Sequence, residues 1–468
     1  MPHRASLMIL CALAACRAAP APPRRPVVAI VGATVVHPER EGAAAEEPGA
    51  NIIIEGDRIV SVGRDPPPAG ATVVDAAGKW VIAGLVDSHV HFFQSGNLYT
   101  RPDVVDLTGW VSYARETQRN KARLPATFKV WLASGVTSVV DVGGPMWNFE
   151  VRAAAERTPA APRVKVAGPL VSMVSRPMLE LDDPPIIKVT SPQEAEALVR
   201  RELARRPDFV KVWFIHQPGD DLAAQEAIVK TVGDLAHAAG TRLAVHATQL
   251  ATAKAALRAG ADVLVHSVFD QVVDEEFLAL ARKRNVIYIP TLFVGAGYGL
   301  ALSGTWTPTD AERRLADPEI LAAMGDLTKH PAADLPPRIV ELMRNPPDAS
   351  PFAAAMASLR KVWDAGIVVA MGTDAGNIGT LHGPSVFREM ALMAKAGLSP
   401  KEVLLSATVN GARMLGLDGE LGRVEAGRLA DLVVLDGDPL VSVDNLSKIV
   451  RVVRAGRVYD PDELLRSL

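Results

Sequence analysis

The chain has 468 residues, 50 Lys and Arg against 53 Asp and Glu, a formal net charge of −3 and 49% hydrophobic residues. That length holds one large barrel plus a smaller domain, or two to three ordinary domains. The balanced charge excludes a partner chosen by electrostatics, such as nucleic acid or an acidic membrane surface.

In chain order, Arg4 precedes an apolar run from Ala5 to Ala15, too short to span a bilayer as a stable helix. Residues 1–16 therefore read as a signal peptide. The end of the run, Leu13-Ala14-Ala15-Cys16, resembles the bacterial lipoprotein cleavage box, which implies lipidation of Cys16 as the first residue of the mature chain. A plain secretory peptide cut near Ala18 or Ala19 is the alternative. Cys11 and Cys16 are the only cysteines, so the mature chain would carry no disulfide. Arg17 stands where an aspartate would hold a lipoprotein in the inner membrane, which favours the outer membrane. Residues 17–26, Pro-rich from Ala19, read as a tether. The expectation is an exported protein of the periplasm or outer membrane, touching the membrane only through its lipid anchor.

From Val27 to about Trp80 short β-branched runs alternate with turns, with Gly56-Asp57 as a hairpin signal. The same texture returns in Asp431 to Leu435 and Ile449 to Arg454, so residues 27–80 and 416–468 are expected to form one β-sandwich from both chain ends. Between them, over residues 81–415, strand-like runs alternate with helical stretches. The strands expected are Val81 to Asp87, Val136 to Val142, Val164 to Ala167, Phe209 to Phe214, Arg242 to His246, Val263 to His266, Val286 to Thr291 and Ile367 to Thr373. Pro192 to Arg205, Asp220 to Ala239 and Thr252 to Ala259 have the texture of amphipathic helices. The fold class is α/β, a (βα)8 barrel. Two long connections, Ser172 to Ser191 and Leu292 to about Pro351, are expected to be lids or substrate walls.

Side chains at the C-terminal ends of barrel strands converge on one mouth, and the two-residue period of a strand says which of them point inward. In Ser88-His89-Val90-His91 the two histidines share the inner face. His246, His266 and Asp374 follow the same logic, and Lys211 lies between Val210 and Val212, which suit the helix layer. Four histidines, an aspartate and a lysine in one cavity are the right inventory for two metal ions. A single strand-end histidine would more simply be a satisfied polar residue, and Lys211 could snorkel to the rim.

Gly84-Leu-Val-Asp-Ser-His-Val-His91, the later single histidines and Met371-Gly-Thr-Asp-Ala-Gly376 resemble the amidohydrolase superfamily. The likeness extends through Leu381-His-Gly383, Arg388-Glu389, Ala407-Thr-Val-Asn-Gly411 and Leu421 to Asp431, and it is nearest to imidazolonepropionase-like and Xaa-Pro dipeptidase-like members. The resemblance implies His89 and His91 on a first metal, His246 and His266 on a second, and Asp374 on the first while acting as a base. It implies two divalent ions, zinc in the usual case, bridged by a carboxylated Lys211. An amine buried beside cations has a depressed pKa and is free to react with carbon dioxide. The reaction implied is hydrolysis of a C–N bond in a peptide-like, N-acyl amino acid or cyclic amide substrate by metal-bound hydroxide, with Asp374 passing the proton to the leaving amine.

His216, Tyr288 and His382 are weaker candidates for substrate contacts, each with a structural alternative. His216 falls off the Lys211 face unless its loop returns, Tyr288 could be a core tyrosine, and His382 could make a loop hydrogen bond. Arg388 is a candidate for a substrate carboxylate or for helix-surface pairing. His37, His237 and His330 read as surface residues. Two other readings stay open: deamination or lactone hydrolysis on the same fold, and a non-catalytic metal-binding surface lipoprotein. Superfamily deaminases usually carry a strand-five glutamate near the histidine, and none accompanies His246. Oligomeric state is not legible in the sequence.

Overall fold

The computed structural model describes residues 26–348 and 353–468. The leader, Cys16 and the tether up to residue 25 lie outside the described residues, as does Pro351.

The chain ends form one sheet that folds around its own core. Val27–Val36 pairs with Glu46–Glu55 on one side and with Thr72–Asp75 and Trp80–Ala83 on the other. Trp80–Ala83 then pairs with Leu432–Leu435 from the far end of the chain, which continues into Ile449–Arg454 and Arg457–Tyr459. Alternate residues such as Ile30, Ile52, Ile54, Val81, Val434 and Val453 fill the interior of this β-sandwich. The Gly56-Asp57 turn closes the hairpin of Glu46–Glu55 with Arg58–Gly63, and Gly56 takes the positive φ of 65° that suits a residue without Cβ.

The barrel strands are Leu85–Val90, Val136–Asp141, Arg163–Val166, Phe209–Trp213, Arg242–His246, Val263–Val265, Ile287–Ile289 and Val368–Val369. Neighbours pair in parallel. An Ala167–Phe209 bridge joins the third strand to the fourth. The ring closes through backbone bonds from Ser88 N to Met371 O (2.9 Å), Asp374 N to His89 O (2.7 Å) and His91 N to Ala375 O (2.8 Å). Strand parity sorts the apolar residues into two layers. Val86, Phe209, Ala244, Val263, Ile287 and Ala370 fill the inside, while Val210, Val212, Leu243, Val245 and Leu264 meet Phe128, Ile228 and Phe277 of the surrounding helices. The helices begin where the sequence supplies caps: Ser191 accepts from Glu194 N before Pro192–Leu203, and Asp221 from Ala223 N and Ala224 N before Leu222–Ala238.

Three expectations are corrected here. The run Val81 to Asp87 is two strands, the first in the end sheet and the second in the barrel. The chain breaks at Gly84, where a Cβ would lie 2.1 Å from Thr137 Oγ1, so only glycine allows the close crossing. The Leu292 connection is mostly helical, with Phe293–Leu302, Asp310–Leu315, Pro318–Ala323 and Pro337–Arg344. Most of this connection packs on the loop after the first strand, Leu302, Ala323 and Ile339 of the helices and Leu327 of the turn Asp326–Lys329 meeting Leu98, Tyr99 and Leu107. His37 is only 1% exposed. Its backbone N–H bonds Ala45 O, which tucks the ring between Glu39 and Glu47 at 3.7 and 3.8 Å.

Candidate active site

Strand one supplies the first ligand candidates. Asp87, His89 and His91 fall on one face, and the Asp87 carboxylate accepts His89 N (3.1 Å), Thr373 N (3.0 Å) and the Thr373 hydroxyl (2.6 Å). It fixes the ends of strands one and eight against each other. Gly372 and Gly376 are needed there: a Cβ on Gly372 would sit 2.9 Å from His89 N, and one on Gly376 2.4 Å from His91 O.

His91 Nδ1 lies 2.6 Å from Gly143 O. A carbonyl can only accept, so Nδ1 holds the proton and Nε2 is left as the ligand atom. That Nε2 is 3.3 Å from His89 Nε2, and Asp374 Oδ1 lies 3.1 and 3.2 Å from the two. His89, His266 and Asp374 also present ligand atoms all within 4.8 Å of one another. His266 is oriented by Thr291 Oγ1 at 2.7 Å from its Nδ1. The His246 ring stands edge-on to His266, centroids 4.4 Å apart.

Lys211 is 1% exposed. It points into the same cavity, of about 420 Å³, as the four histidines and Asp374. Burial lowers its ammonium to about 7, against the opposing pull of Asp374. Burial likewise lowers His89 to about 4 and takes His246 and His266 well below the ordinary imidazole value, so the rings are neutral donors. Burial works to raise Asp374, yet the surrounding imidazoles hold its carboxyl well below the usual range. Three buried atoms, His89 Nδ1, Lys211 Nζ and Asp374 Oδ1, have no hydrogen-bond partner among the described residues. Buried polar atoms are rarely left so. Converging neutral imidazoles, an ionised carboxylate and these partnerless atoms fit a divalent metal centre.

His266, Thr291 and Asp374 have φ of 76°, 44° and 63°, all on the cavity lining. Left-handed backbone at non-glycine residues costs energy and persists only where surroundings enforce it. At Asp374 the enforcement is visible. Asn377 donates its Nδ2 and backbone N to Asp374 O at 3.3 Å each, while its Oδ1 accepts from the Tyr298 hydroxyl (2.5 Å) and Arg101 Nη1 (3.0 Å). Arg101 in turn forks onto Asp103 with two 2.7 Å bonds.

Three weaker candidates are not brought to the cavity. Strand four ends at Trp213, and His216 turns away to Gln225 Oε1, 2.8 Å from its Nδ1. Tyr288 sits between the inward Ile287 and Ile289, so it faces the helices, packs on Phe277 and accepts Val268 N at 3.3 Å. His382 donates from Nε2 to His91 O (3.1 Å) and stacks on Phe92. It supports the ligand loop and does not line the cavity. Arg388 pairs with the buried Glu312 at 2.6 Å. Among the residues missed, Asp87 stood within the quoted motif two positions from His89, a signal that the strand period could have exposed. Arg101 and Asn377 come from loops and Tyr298 from the helix Phe293–Leu302, with no comparable signal.

The amidohydrolase family model matches residues 80–459. A 5-methylthioadenosine/S-adenosylhomocysteine deaminase of Thermococcus onnurineus is 26% identical over 404 residues, 83% of this chain and 81% of its own length. An imidazolonepropionase of Streptomyces griseus is 28% identical over 398 residues, 83% and 85% of the two chains. In fold, a Xaa-Pro dipeptidase with bound methionine superposes with a TM-score of 0.68 at 23% identity, covering 93% of this chain and all of that one. The chain belongs to the amidohydrolase family and is a metal-dependent hydrolase of carbon–nitrogen bonds.

Proposed function

We propose that the protein hydrolyses an amide bond in a peptide-like, N-acyl amino acid or cyclic amide substrate with two divalent ions, zinc, which His89, His91, His246, His266, Asp374 and a carboxylated Lys211 would hold. The observation that carries this reading is the meeting of His89 and His91 Nε2 at Asp374 Oδ1 in a cavity shared with a buried, partnerless lysine. Bound there, the metals supply Lewis acidity to the scissile carbonyl and to the attacking water.

The chain's own groups do the rest. With its amine near neutral at physiological pH, Lys211 Nζ can form an N–C bond to carbon dioxide and lose a proton, turning an expensive buried cation into an anion. The Asp374 carboxylate takes the water's proton and returns it to the leaving amine nitrogen as the C–N bond breaks. Arg101 and Tyr298 hold Asn377, and through it the backbone of that aspartate.

The deaminase among the relatives favours a second reading, loss of ammonia from a ring carbon. No glutamate accompanies His246 at the end of strand five, where Ala247, Thr248 and Gln249 follow. None of these side chains can carry the glutamate's proton, which argues for amide hydrolysis over deamination. Metal content and turnover of the parent and of Lys211→Ala on a panel of dipeptides and N-acyl amino acids test the proposal. The parent should hold close to two metals and the variant fewer, with activity lost; a parent that binds no metal or cleaves nothing in the panel overturns it. The Ala5–Ala15 leader and Cys16 support an exported, lipid-anchored enzyme, which radiolabelled palmitate incorporation into the parent but not Cys16→Ser would test.

A further inference from the structure

We infer that the cavity takes amides bearing a bulky, uncharged apolar group, an aromatic ring or a medium-length aliphatic chain, seated against Leu170, Ile186 and Trp213; this rests on the amide-hydrolase reading above.

The wall comes from a departure from the plain barrel. After the third strand the chain passes Gly168-Pro169 and adds a strand pair, Leu170–Ser172 with Ile186–Lys188, alongside the end of strand four. Ser172 pairs with Trp213 and Leu170 with Ile186, so three apolar side chains come together at the mouth. Trp213 lies two residues after Lys211 and shares its face. The wall therefore begins beside the ligand cluster, with the Trp213 ring 5.8 Å from that of His246. Behind it, Leu170 and Ile186 pack with Tyr113 and Leu179 in a separate apolar cluster, which stiffens the surface.

The indole is also locked. The Arg176 guanidinium sits 4.8 Å from its ring centroid and is itself tied to Asp103 at 3.4 Å. The cations near the wall are thus already committed: Arg176 to the ring and Asp103, Arg101 to Asp103, Asn377 and Tyr298. A charged substituent seated here would lose water and find no partner. Arg338, also on the lining, is solvent-exposed on the cap helix Pro337–Arg344, which suits the carboxylate end of an N-acyl amino acid at the rim. Apolar surface continues outward. Of the eight exposed large hydrophobic residues among those described, four (Met178, Leu181, Phe269 and Val272) lie on the connections after strands three and six, at the same end of the barrel. Single exposed apolar residues mean little, but Phe269 lines the cavity itself, so apolar surface reaches from the mouth onto the strand-six connection.

The test compares kcat/KM of the metal-loaded full-length protein on size-matched amides varied on each side of the bond. N-octanoyl- and N-phenylacetyl-glycine stand against N-succinyl-glycine, and N-acetyl-phenylalanine against N-acetyl-aspartate. On at least one side the apolar member should exceed the charged one by about tenfold or more, the scale of leaving a buried charge unpaired. Trp213→Ala and Ile186→Ala should each collapse that ratio. Where variant turnover is slow, the inhibition constants of octanoate and succinate give the same ratio without catalysis. Charged members turned over as well as apolar ones, or a ratio unchanged in both variants, overturns the wall assignment and leaves the amide reading standing. A parent that cleaves neither kind overturns the amide reading, and this inference with it.

Discussion

The two rims of the barrel carry similar residue types and treat them in opposite ways. At the end where the strands start, carboxylates are fully partnered. Asp431 receives Arg163 at 2.9 Å and Ala455 N at 2.7 Å, Asp208 receives Arg152, Lys165 and Val166 N, and Asp262 receives His237 and Leu243 N. At the other end Lys211 Nζ, His89 Nδ1 and Asp374 Oδ1 are buried without hydrogen-bond partners among the described residues. The lower rim's carboxylates are satisfied within the chain, and Asp431 staples barrel to sandwich through Arg163 and Ala455 N. The upper rim leaves valence unfilled at converging atoms, so its charges are for something that binds. Conservatively changed side chains should therefore lose activity above and stability below.

The largest expected effect is at Asp374. Asp374→Asn keeps the shape and removes the proton acceptor, so kcat/KM should fall by about 10³-fold, within the range for a positioned acid–base group. Tm should hold near the parent's. A variant with more than a tenth of parental activity, assayed at matched metal content, would deny Asp374 its role. The counterpart below is Asp431→Ala. It strands the Arg163 guanidinium and the Ala455 N–H and should cost about 3 kcal/mol of stability by denaturant unfolding. Activity per folded molecule should not change. Equal loss of activity in both variants would erase the distinction between the rims.

What was legible in the sequence follows the same division. The two-residue period exposed the face of His89, Lys211 and His246, which sit in strands whose neighbours are apolar on the other face. His91, His266 and Asp374 lie just past strand ends, and His266, next to the inward Val265, reaches the cavity through its left-handed φ of 76° and not through the period. The period failed at Tyr288, where Val286 to Ile289 is apolar at every position and gives no sign of which face turns inward. It could not reach Arg101, Tyr298 and Asn377, which meet across 276 and 79 residues of separation. Contacts between the helix Phe293–Leu302 and two loops follow from how the cap docks, and no local pattern encodes that. The helical nature of the Leu292 connection was hidden for a related reason: its helices are short, two of them with six residues, and they are held by tertiary contacts, most to the loop at Leu98 and Tyr99 and Leu315 to Leu132 and Leu464.

A smaller effect should separate the upper rim's ligands from the groups that place them. Asn377→Ala removes the side-chain donor to Asp374 O and the acceptor for Tyr298 and Arg101. The left-handed Asp374 backbone loses one of its holds, and kcat should drop by about 10-fold to 100-fold, the scale seen when groups supporting a metal site are removed. Metal content should fall little. Asn377→Asp keeps an acceptor for both donors and should recover part of the loss. A variant with normal kcat and raised KM would instead make Asn377 a substrate contact.

The smallest effect tests whether lacking a partner is itself a mark of function. Glu202, on the helix Pro192–Leu203, is buried, and neither carboxyl oxygen has a hydrogen-bond partner among the described residues. It lies outside the cavity, against Gly168 at the break in the third strand. Burial pushes its carboxyl well above the ordinary value near 4.5, with Arg201 opposing. The folded chain therefore holds this proton more tightly than the unfolded one. Its contribution to stability is complete below the unfolded value and is lost as pH rises through the folded value. Glu202→Gln keeps the neutral shape without the titration. Its Tm should match the parent's near pH 4 and exceed it by a few degrees at pH 8, with kcat/KM per folded molecule unchanged. A gap that widens towards acid would reverse the sign of the burial argument. A loss of activity would mean that an isolated partnerless carboxyl can matter as much as converging ones, and it is convergence that distinguishes the upper rim.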